Sequence, residues 1–456
     1  MRKTLGILLA VMLMVSLAAC GGSKSGTASE SASPSGSAPA SPASSNSGEA
    51  NLKQFEGTTL NVLMKTGYTA QAITDYQSEF EAATGIKLNV EVVDEPTTRK
   101  KFILDSTTKQ GAYDVIATEF WYMPEFLKLQ SLEPLDDYIA NKKSPWLSVD
   151  DMPQGLKDTY KGTDGKLYSL PVTASGGVLM YRKDLFDQYG IAKPATTADV
   201  LAAAKTLKEK LPADVVPFIG RGESSSASFG STAGWAWAYG ASVLDAGGNV
   251  TVNSDAMKQA VGDWVTLMKD YGPKDAAAMG WDTMSEVFRQ GKAAMNFDMS
   301  GFPSVYDNPQ NSQVAGKVDT AIITGPANHA AQWMFGEGLA ISANSKNKDA
   351  AWLFLQWRTS LEVAEKEAAD KIRVDFPLDS VYDSAKYQEA TKDQPFAKQI
   401  QDVMKSIDTT YWPNVAEFDQ LGQALQQEIA LAIAGKQDVS AALDKAQASI
   451  QKILKK

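Results

Sequence analysis

The 456-residue chain holds one cysteine, Cys20, and one histidine, His329. These two residues narrow the chemistry at once. A single thiol allows no internal disulfide, and one His with one Cys leaves no set of soft metal ligands. A Ser-His-Asp site would have to use His329, in the loop-like run Pro326-Ala327-Asn328-His329-Ala330, and no Gly-x-Ser-x-Gly elbow accompanies it. No Gly-x-x-x-x-Gly-Lys-Ser/Thr run is present to cradle phosphate, and no Asp-x-Asp-x-Asp loop to hold calcium. No cofactor or metal is therefore expected. The acids that remain for catalysis are Glu119, which precedes Phe120-Trp121, together with Asp298 and Glu337. A glycosidase needs two such carboxylates about 5 Å or about 6.5–9.5 Å apart, one with a raised pKa.

Cys20 has chemistry of a different kind. Arg2 and Lys3 precede an apolar stretch from Leu5 to Leu17, broken only by Gly6 and Ser16, which ends in Leu17-Ala18-Ala19-Cys20. The stretch is shorter than the roughly 20 residues that cross a bilayer and suits a signal-peptide core of about 7–15. Its end resembles a lipobox, in which small residues admit the signal peptidase and the cysteine thiol takes a diacylglycerol. Residues 1–19 then read as a lipoprotein signal peptide, and Cys20 as the lipidation site that anchors the mature chain to the extracytoplasmic face of the cell membrane. Two acyl chains hold a protein far more firmly than one. Gly21 to Gly48 is nearly all Ser, Gly, Ala, Pro and Asn, with only Lys24 and Glu30 charged. Such a segment buries too little apolar surface to fold, so residues 20–51 are expected to form a flexible tether spanning roughly 30 Å.

Beyond the tether stand about 400 residues, enough on size alone for two lobes. The net charge of −10 and the lack of a basic cluster beyond Arg99-Lys100-Lys101 argue against nucleic acid as a partner. The first part of the body reads as a strand at 59–64, a helix at 70–83 stopped by Gly85, an alternating strand at 86–93, a helix at 98–108 and a strand at 113–117. Alternation of this kind predicts an α/β fold with a largely parallel, helix-covered sheet, whose ligands sit at the carboxyl ends of strands. Two loops occupy that place, Lys65 to Tyr68 and Thr118 to Tyr122. Pro171, before Ala174-Ser175-Gly176-Gly177, fits either an ordinary loop or a crossover. Later segments read as an amphipathic helix at 255–271, strands at 293–297, 318–323 and 338–342, and helices at 349–357 and 421–434.

The order of several short runs carries a resemblance. They are Tyr113-Asp114-Val115-Ile116, Leu132-Glu133-Pro134-Leu135-Asp136, Gly165-Lys166-Leu167-Tyr168-Ser169-Leu170-Pro171 and Met180-Tyr181-Arg182-Lys183-Asp184-Leu185-Phe186, followed by Val252-Asn253-Ser254-Asp255-Ala256. Phe288-Arg289-Gln290-Gly291-Lys292-Ala293-Ala294-Met295 and Ala340-Ile341-Ser342-Ala343-Asn344-Ser345-Lys346 complete the series. Together they resemble the family 1 extracellular solute-binding proteins of bacterial ABC importers, the sugar-binding lipoproteins. Arg221-Gly222, Tyr271-Gly272-Pro273, Trp281 and Asp298 look closest to the branch associated with polyols and monosaccharide-like solutes. The resemblance implies a two-lobed periplasmic-binding-protein-like fold of the class II type, with a small solute bound in the interlobe cleft and an ABC permease reading its closure. By the family pattern lobe one is 52–172 plus 299–344, lobe two is 173–298 plus 345–456, Pro171 and Asp298-Met299 lie at hinge crossings, and the protein is a monomer. An extracellular sensor serving a receptor kinase would use the same closure, and a carbohydrate-active hydrolase is the enzymatic alternative.

Sugar recognition calls for aromatic faces and for side chains that pair with hydroxyls, because a desolvated polar group left unpaired costs about 1–3 kcal/mol. On the expected cleft the candidates are Tyr68, Glu119, Trp121, Arg221, Trp235, Trp237, Trp281, Asp298, Glu337 and Arg373. Trp264 and Trp352 sit at helical spacing and are assigned to the core. Two departures from the family pattern stand out: Glu337 after Gly336, where Trp or Ser often follows the glycine, and Leu378, where the polyol-like branch tends to carry Arg. An added acid and a missing base predict a more negative cleft, suited to an amino-bearing solute or to a sugar bound through acceptors, with Arg373 able to compensate for Leu378.

Overall fold

The computed structural model describes residues 51–455. Cys20, the signal peptide and the tether expected before residue 51 lie outside the described residues. Two sheets organise the body. The first has five strands in the order β2-β1-β3-β9-β4, and the second has four in the order β6-β7-β5-β8.

In the first sheet β1 (Thr59–Lys65) runs parallel to β2 (Lys87–Val93) and to β3 (Val115–Glu119), while β9 (Phe335–Ile341) is antiparallel to β3 and to β4 (Leu170–Ser175). β1 is buried continuously from Val62 to Lys65, as a central parallel strand should be; β2, at the edge, is buried only at Leu88. The helix Tyr68–Thr84 returns the chain and stops at Gly85, whose φ of 72° suits glycine. The helix Glu95–Thr108 starts where Asp94 accepts from Thr97 N at 3.0 Å. Phe80 packs against Phe354 and Trp357, at 5.3 and 5.1 Å between ring centroids, and anchors the core on this side.

In the second sheet β5 (Gly177–Arg182) is antiparallel to β7 (Ala293–Met299) and β8 (Val318–Ala321), and β6 (Val216–Ile219) is parallel to β7. Its core centres on Trp264, within 5.8 Å of Trp235 and 5.7 Å of Phe218. Trp264 and Trp352 are both buried, as their helical spacing predicts.

The chain passes from the first sheet to the second at Gly176, between β4 and β5, and returns between β8 and β9. The division expected from the family pattern changes in three places. β8, inside 299–344, pairs with β5 of the second sheet. The helix Lys348–Arg358, expected in lobe two, packs on β9 and on the helix Tyr68–Thr84 of the first sheet. Asp298-Met299 ends β7, after which the chain stays with the second sheet until β8 is complete, and Pro171 lies inside β4 beside a register shift rather than at the crossing. Only after Ser380, which donates to Asp151, does the chain cross again, and Gln399 accepts from Thr320 on β8. Among the described residues no helix is long and apolar enough to cross a membrane.

Candidate functional site

The ends of β1, β3 and β9 lie side by side, so Lys65, Glu119 and Glu337 meet. Glu119 and Glu337 are register partners, and Lys65 Nζ lies 3.4 Å from Glu119 Oε1 and 3.3 Å from Glu337 Oε2. The ammonium also sits 4.6 Å from the centre of the Phe335 ring. Burial alone would lower the Lys65 pKa, but Glu337 and Glu119 outweigh it and hold the ammonium above its usual value. Burial pushes Glu119 up to about 8, against the pull of Lys65. The acid added at Glu337 therefore comes with a cation, which the sequence pattern did not anticipate.

Beside this cluster opens a cavity of about 970 Å3, near the top of the range of about 300–1,000 Å3 usual for small-molecule sites. Residues of both sheets and of the segments between them line it. Tyr68, Trp121, Arg221, Trp281, Glu337 and Arg373, six of the residues singled out from the sequence, lie on its surface. Trp121 stands 5.4 Å from Phe335 and 6.0 Å from Trp412, and Trp281 is 46% exposed at the start of the helix Trp281–Arg289. Burial, and next Asp375, raise the Tyr68 hydroxyl above its usual range.

Two arginine–aspartate pairs form the polar floor. Arg221 Nε and Nη2 donate to both oxygens of Asp298 at 2.8 and 2.7 Å, Nη1 donates to Ala227 O at 2.9 Å, and the guanidinium lies 4.1 Å from the Trp333 ring centre. Such a fork fixes the guanidinium more firmly than a single contact would. Asp298 is the buried anchor of this pair and is absent from the cavity surface. Arg373 Nε donates to Asp375 Oδ1 at 3.3 Å and Nη1 to Val172 O at 3.0 Å. Asp375 also accepts from Ser175 and, at 3.0 Å, from Ser300. Burial raises the carboxyls of both Asp298 and Asp375, with their arginines opposing.

Three candidates are placed elsewhere. Trp235 is fully buried against Trp264 and Phe297, because the short apolar helix Phe229–Trp237 is covered on that side by the second core. Trp237 stacks between His329 and Tyr411, at 4.4 and 5.3 Å, and is taken up by packing rather than by the cavity. Glu119 lies behind Lys65, off the cavity surface. Leu378 is buried in the core and is not on the cavity surface.

Several lining residues were not identified from sequence. Trp333, Phe335, Trp412 and Phe418 complete the aromatic surface, and Asp375, Glu95, Glu223 and Asp419 the polar one. Trp412 lies 5.0 Å from Phe229 and 5.3 Å from Phe418, joining the cavity to the core. The signal available for Trp333 and Trp412 was a tryptophan in an irregular stretch, outside any helical or strand periodicity. Trp333 also depends on Gly230, where a Cβ would fall 1.6 Å from its Nε1. Among the described residues no group of His, Cys, Asp and Glu is arranged to hold a metal ion.

The arrangement can grip a polar solute from several sides, with fixed donors, fixed acceptors and flat apolar faces. Comparison with known proteins agrees. The model of the family described as bacterial extracellular solute-binding protein matches residues 63–365. The mannitol-binding protein of Pseudomonas aeruginosa is 26% identical over 401 residues, 82% of this chain and 88% of its own. The erythritol/L-threitol-binding protein of Mycolicibacterium smegmatis is 25% identical over 398 residues, 83% of this chain and 82% of its own. Among solved structures, an ABC transporter solute-binding protein from Agrobacterium vitis S4 with bound D-mannitol aligns with a TM-score of 0.77 and 28% identity over 88% of this chain and 99% of that one. Another, from Agrobacterium radiobacter K84 in complex with ribitol, aligns with a TM-score of 0.79 and 26% identity over 87% and 99%. These relatives are binding proteins, not enzymes, which sets the hydrolase alternative aside. The family match spans more than half of the sequence, and the chain belongs to the bacterial extracellular solute-binding proteins.

Proposed function

We propose that this protein is the lipid-anchored, extracytoplasmic binding component of an ABC importer, and that it captures a sugar or polyol between its two sheets for delivery to a membrane permease. The observation that carries the reading is the cavity floor: Arg221 and Arg373, each held by an aspartate, face a surface rich in aromatic rings. Fixed guanidinium donors and carboxylate acceptors pair with vicinal hydroxyls, and Trp121, Trp333 and Trp412 supply flat apolar area for the carbon skeleton. The mannitol- and ribitol-bound relatives make alditols the first compounds to try. Residues 1–19 act as the export signal, Cys20 carries the lipid and 20–51 form the tether. Two lobes are built around the two sheets, and closure over the solute is the state the permease reads.

The test is a thermal-shift screen of residues 52–456 against alditols, monosaccharides, oligosaccharides and amino sugars, followed by small-angle scattering with each hit. A solute held at about 100 times its Kd should stabilise the body by about 2.7 kcal/mol and contract it. If no polyhydroxylated compound shifts the transition, or if a hit is converted to a new compound, the reading fails.

A further inference from the structure

At the β1–β3–β9 end of the cavity one ammonium faces three carboxylates. Lys65 is in salt-bridge range of Glu119 and Glu337, and Glu95, from the neighbouring helix Glu95–Thr108, also raises its pKa. Glu119 and Glu337 are 4% and 3% exposed; Glu119 Oε1 has the Lys65 ammonium at 3.4 Å, and Glu337 Oε1 has no hydrogen-bond partner. Behind them the buried Tyr160 hydroxyl is also without one. Glu95 accepts from Tyr122 Oη at 3.1 Å. On the same helix Arg99 is committed to Glu125 by two hydrogen bonds of 2.6 and 2.8 Å, and the exposed Lys100 also lines the cavity. The groups facing this corner are thus Lys65 on β1, Glu119 on β3, Glu337 on β9, Glu95 on its helix, and the phenols Tyr122 and Tyr160.

Lys65 against Glu95, Glu119 and Glu337 leaves the corner with an excess of negative charge, and two of the three carboxylates are out of water. Such an excess is not tolerated without a counter-charge or a proton. A proton on Glu119 relieves part of it in the empty protein, in keeping with the upward shift of that group. Glu337 lines the cavity, and its unpartnered oxygen is buried at that wall, so a solute group pressed into the corner is what would meet it. A solute hydroxyl would satisfy the hydrogen bond and leave the charge. A protonated amine, with three donors and a positive charge, does both.

We infer that this corner is a subsite for a protonated primary amine carried by a polyhydroxylated solute, with the Glu337 carboxylate as its acceptor. The inference rests on the sugar or polyol reading above and narrows it to amino sugars and amino alditols. It also gives a role to the acid that departs from the family pattern.

The test pairs compounds that differ by one group: D-glucitol with 1-amino-1-deoxy-D-glucitol, D-glucose with D-glucosamine, and D-galactose with D-galactosamine, titrated calorimetrically into residues 52–456 at pH 7. In at least one pair the amine should bind about 10- to 100-fold more tightly than its neutral partner, the range expected for a charge-assisted hydrogen bond. Glu337→Gln should bring that ratio close to one. Wild-type protein gives a second reading that needs no variant: amine binding should release a proton from Glu119, seen as a heat that changes with the ionisation enthalpy of the buffer. If neutral members bind as tightly as or more tightly than their amines, the subsite is overturned while the sugar or polyol reading stands. If no member of any pair binds and the wider alditol and saccharide screen is also silent, both fall.

Discussion

The Arg221–Asp298 pair should contribute to solute binding far more than to stability. The pair is almost entirely out of water: Arg221 is 4% exposed and Asp298 0%. Burial still drives the Asp298 carboxyl above its usual value although a guanidinium is bound to it through two oxygens. The desolvation cost of the two charges therefore rivals their attraction, and the intact pair should add little net stability. Losing one member is a different matter, since it strands the other as a buried, uncompensated charge. Arg221→Met and Asp298→Leu should each cost about 3–5 kcal/mol. The double variant strands no charge. Its main losses are the donor to Ala227 O and the acceptor of Met299 N, each worth about 1 kcal/mol, so it should lie within about 2 kcal/mol of wild type. The coupling between the two sites is then about 4 kcal/mol or more, measured by urea unfolding of residues 52–456 with tryptophan fluorescence and circular dichroism as concurrent probes. All three variants should lose the solute, because the guanidinium on Trp333 is gone or misplaced. Single effects that add to within about 0.5 kcal/mol in the double variant would refute the argument that the pair is held for binding rather than for stability.

Glu119 makes the stability of the body depend on pH in a definite sense. Its folded pKa of about 8 lies above the unfolded carboxylate value of about 4.3. Between the two the folded chain holds a proton that the unfolded chain has released. Its contribution is therefore full below the unfolded value and is lost as pH rises toward 8. Lys65, whose pKa is raised, keeps its own contribution throughout this window and does not offset the trend. Urea midpoints should fall from about pH 5 to about pH 8 in wild type and less steeply in Glu119→Gln; parallel profiles would exclude the assignment. Gly230→Ala places a methyl group where Trp333 Nε1 now lies, 1.6 Å from the new carbon. It should destabilise by about 1–3 kcal/mol and weaken solute binding, read by urea unfolding and titration; wild-type values for both would show that Trp333 has room to move.

The strands and long helices were legible because their signals are local. The apolar run at 59–64, the alternation at 86–93 and the heptad-like spacing at 255–271 each fall on an observed element. The rule that ligands gather at the carboxyl ends of strands led to Lys65–Tyr68 and Thr118–Tyr122, and both loops reach the cavity. What was not legible is non-local. Trp235 and Trp237 share a nine-residue helix whose sequence gives no sign of which neighbours cover it. Arg373 was reached by proximity to Leu378, yet its partner Asp375, two residues on, was missed because its other contacts, Ser175 and Ser300, lie far away in sequence. Trp333 and Trp412 belong to irregular segments that only the assembled sheets bring together. The sheet to which 318–321 belongs was hidden for the same reason: β8 takes its place by pairing with β5, a contact across more than 130 residues.

Those missed residues also join the cavity to the segments on which closure would turn. Asp375 lies on the cavity floor and accepts from Ser175, one residue before the crossing at Gly176, and from Ser300, just past the end of β7. Ser300 in turn bonds Gly176 in both directions, N to O at 2.8 Å and N to Oγ at 3.1 Å. Gly176 itself has no space for a side chain, since a Cβ there would stand 2.2 Å from Val403. On the return crossing, Gln332 is clamped by Tyr411, which donates to its carbonyl at 2.7 Å, and by Asp408 N, which donates to its Oε1 at 2.9 Å. The next residues on each side, Trp333 and Trp412, face the cavity. A ligand shifts a conformational equilibrium only through contacts that differ between the two states. With Asp375, Trp333 and Trp412 each one or two bonds from a crossing, a solute that orders these side chains acts on the crossings directly, and no longer chain of couplings is needed between binding and closure.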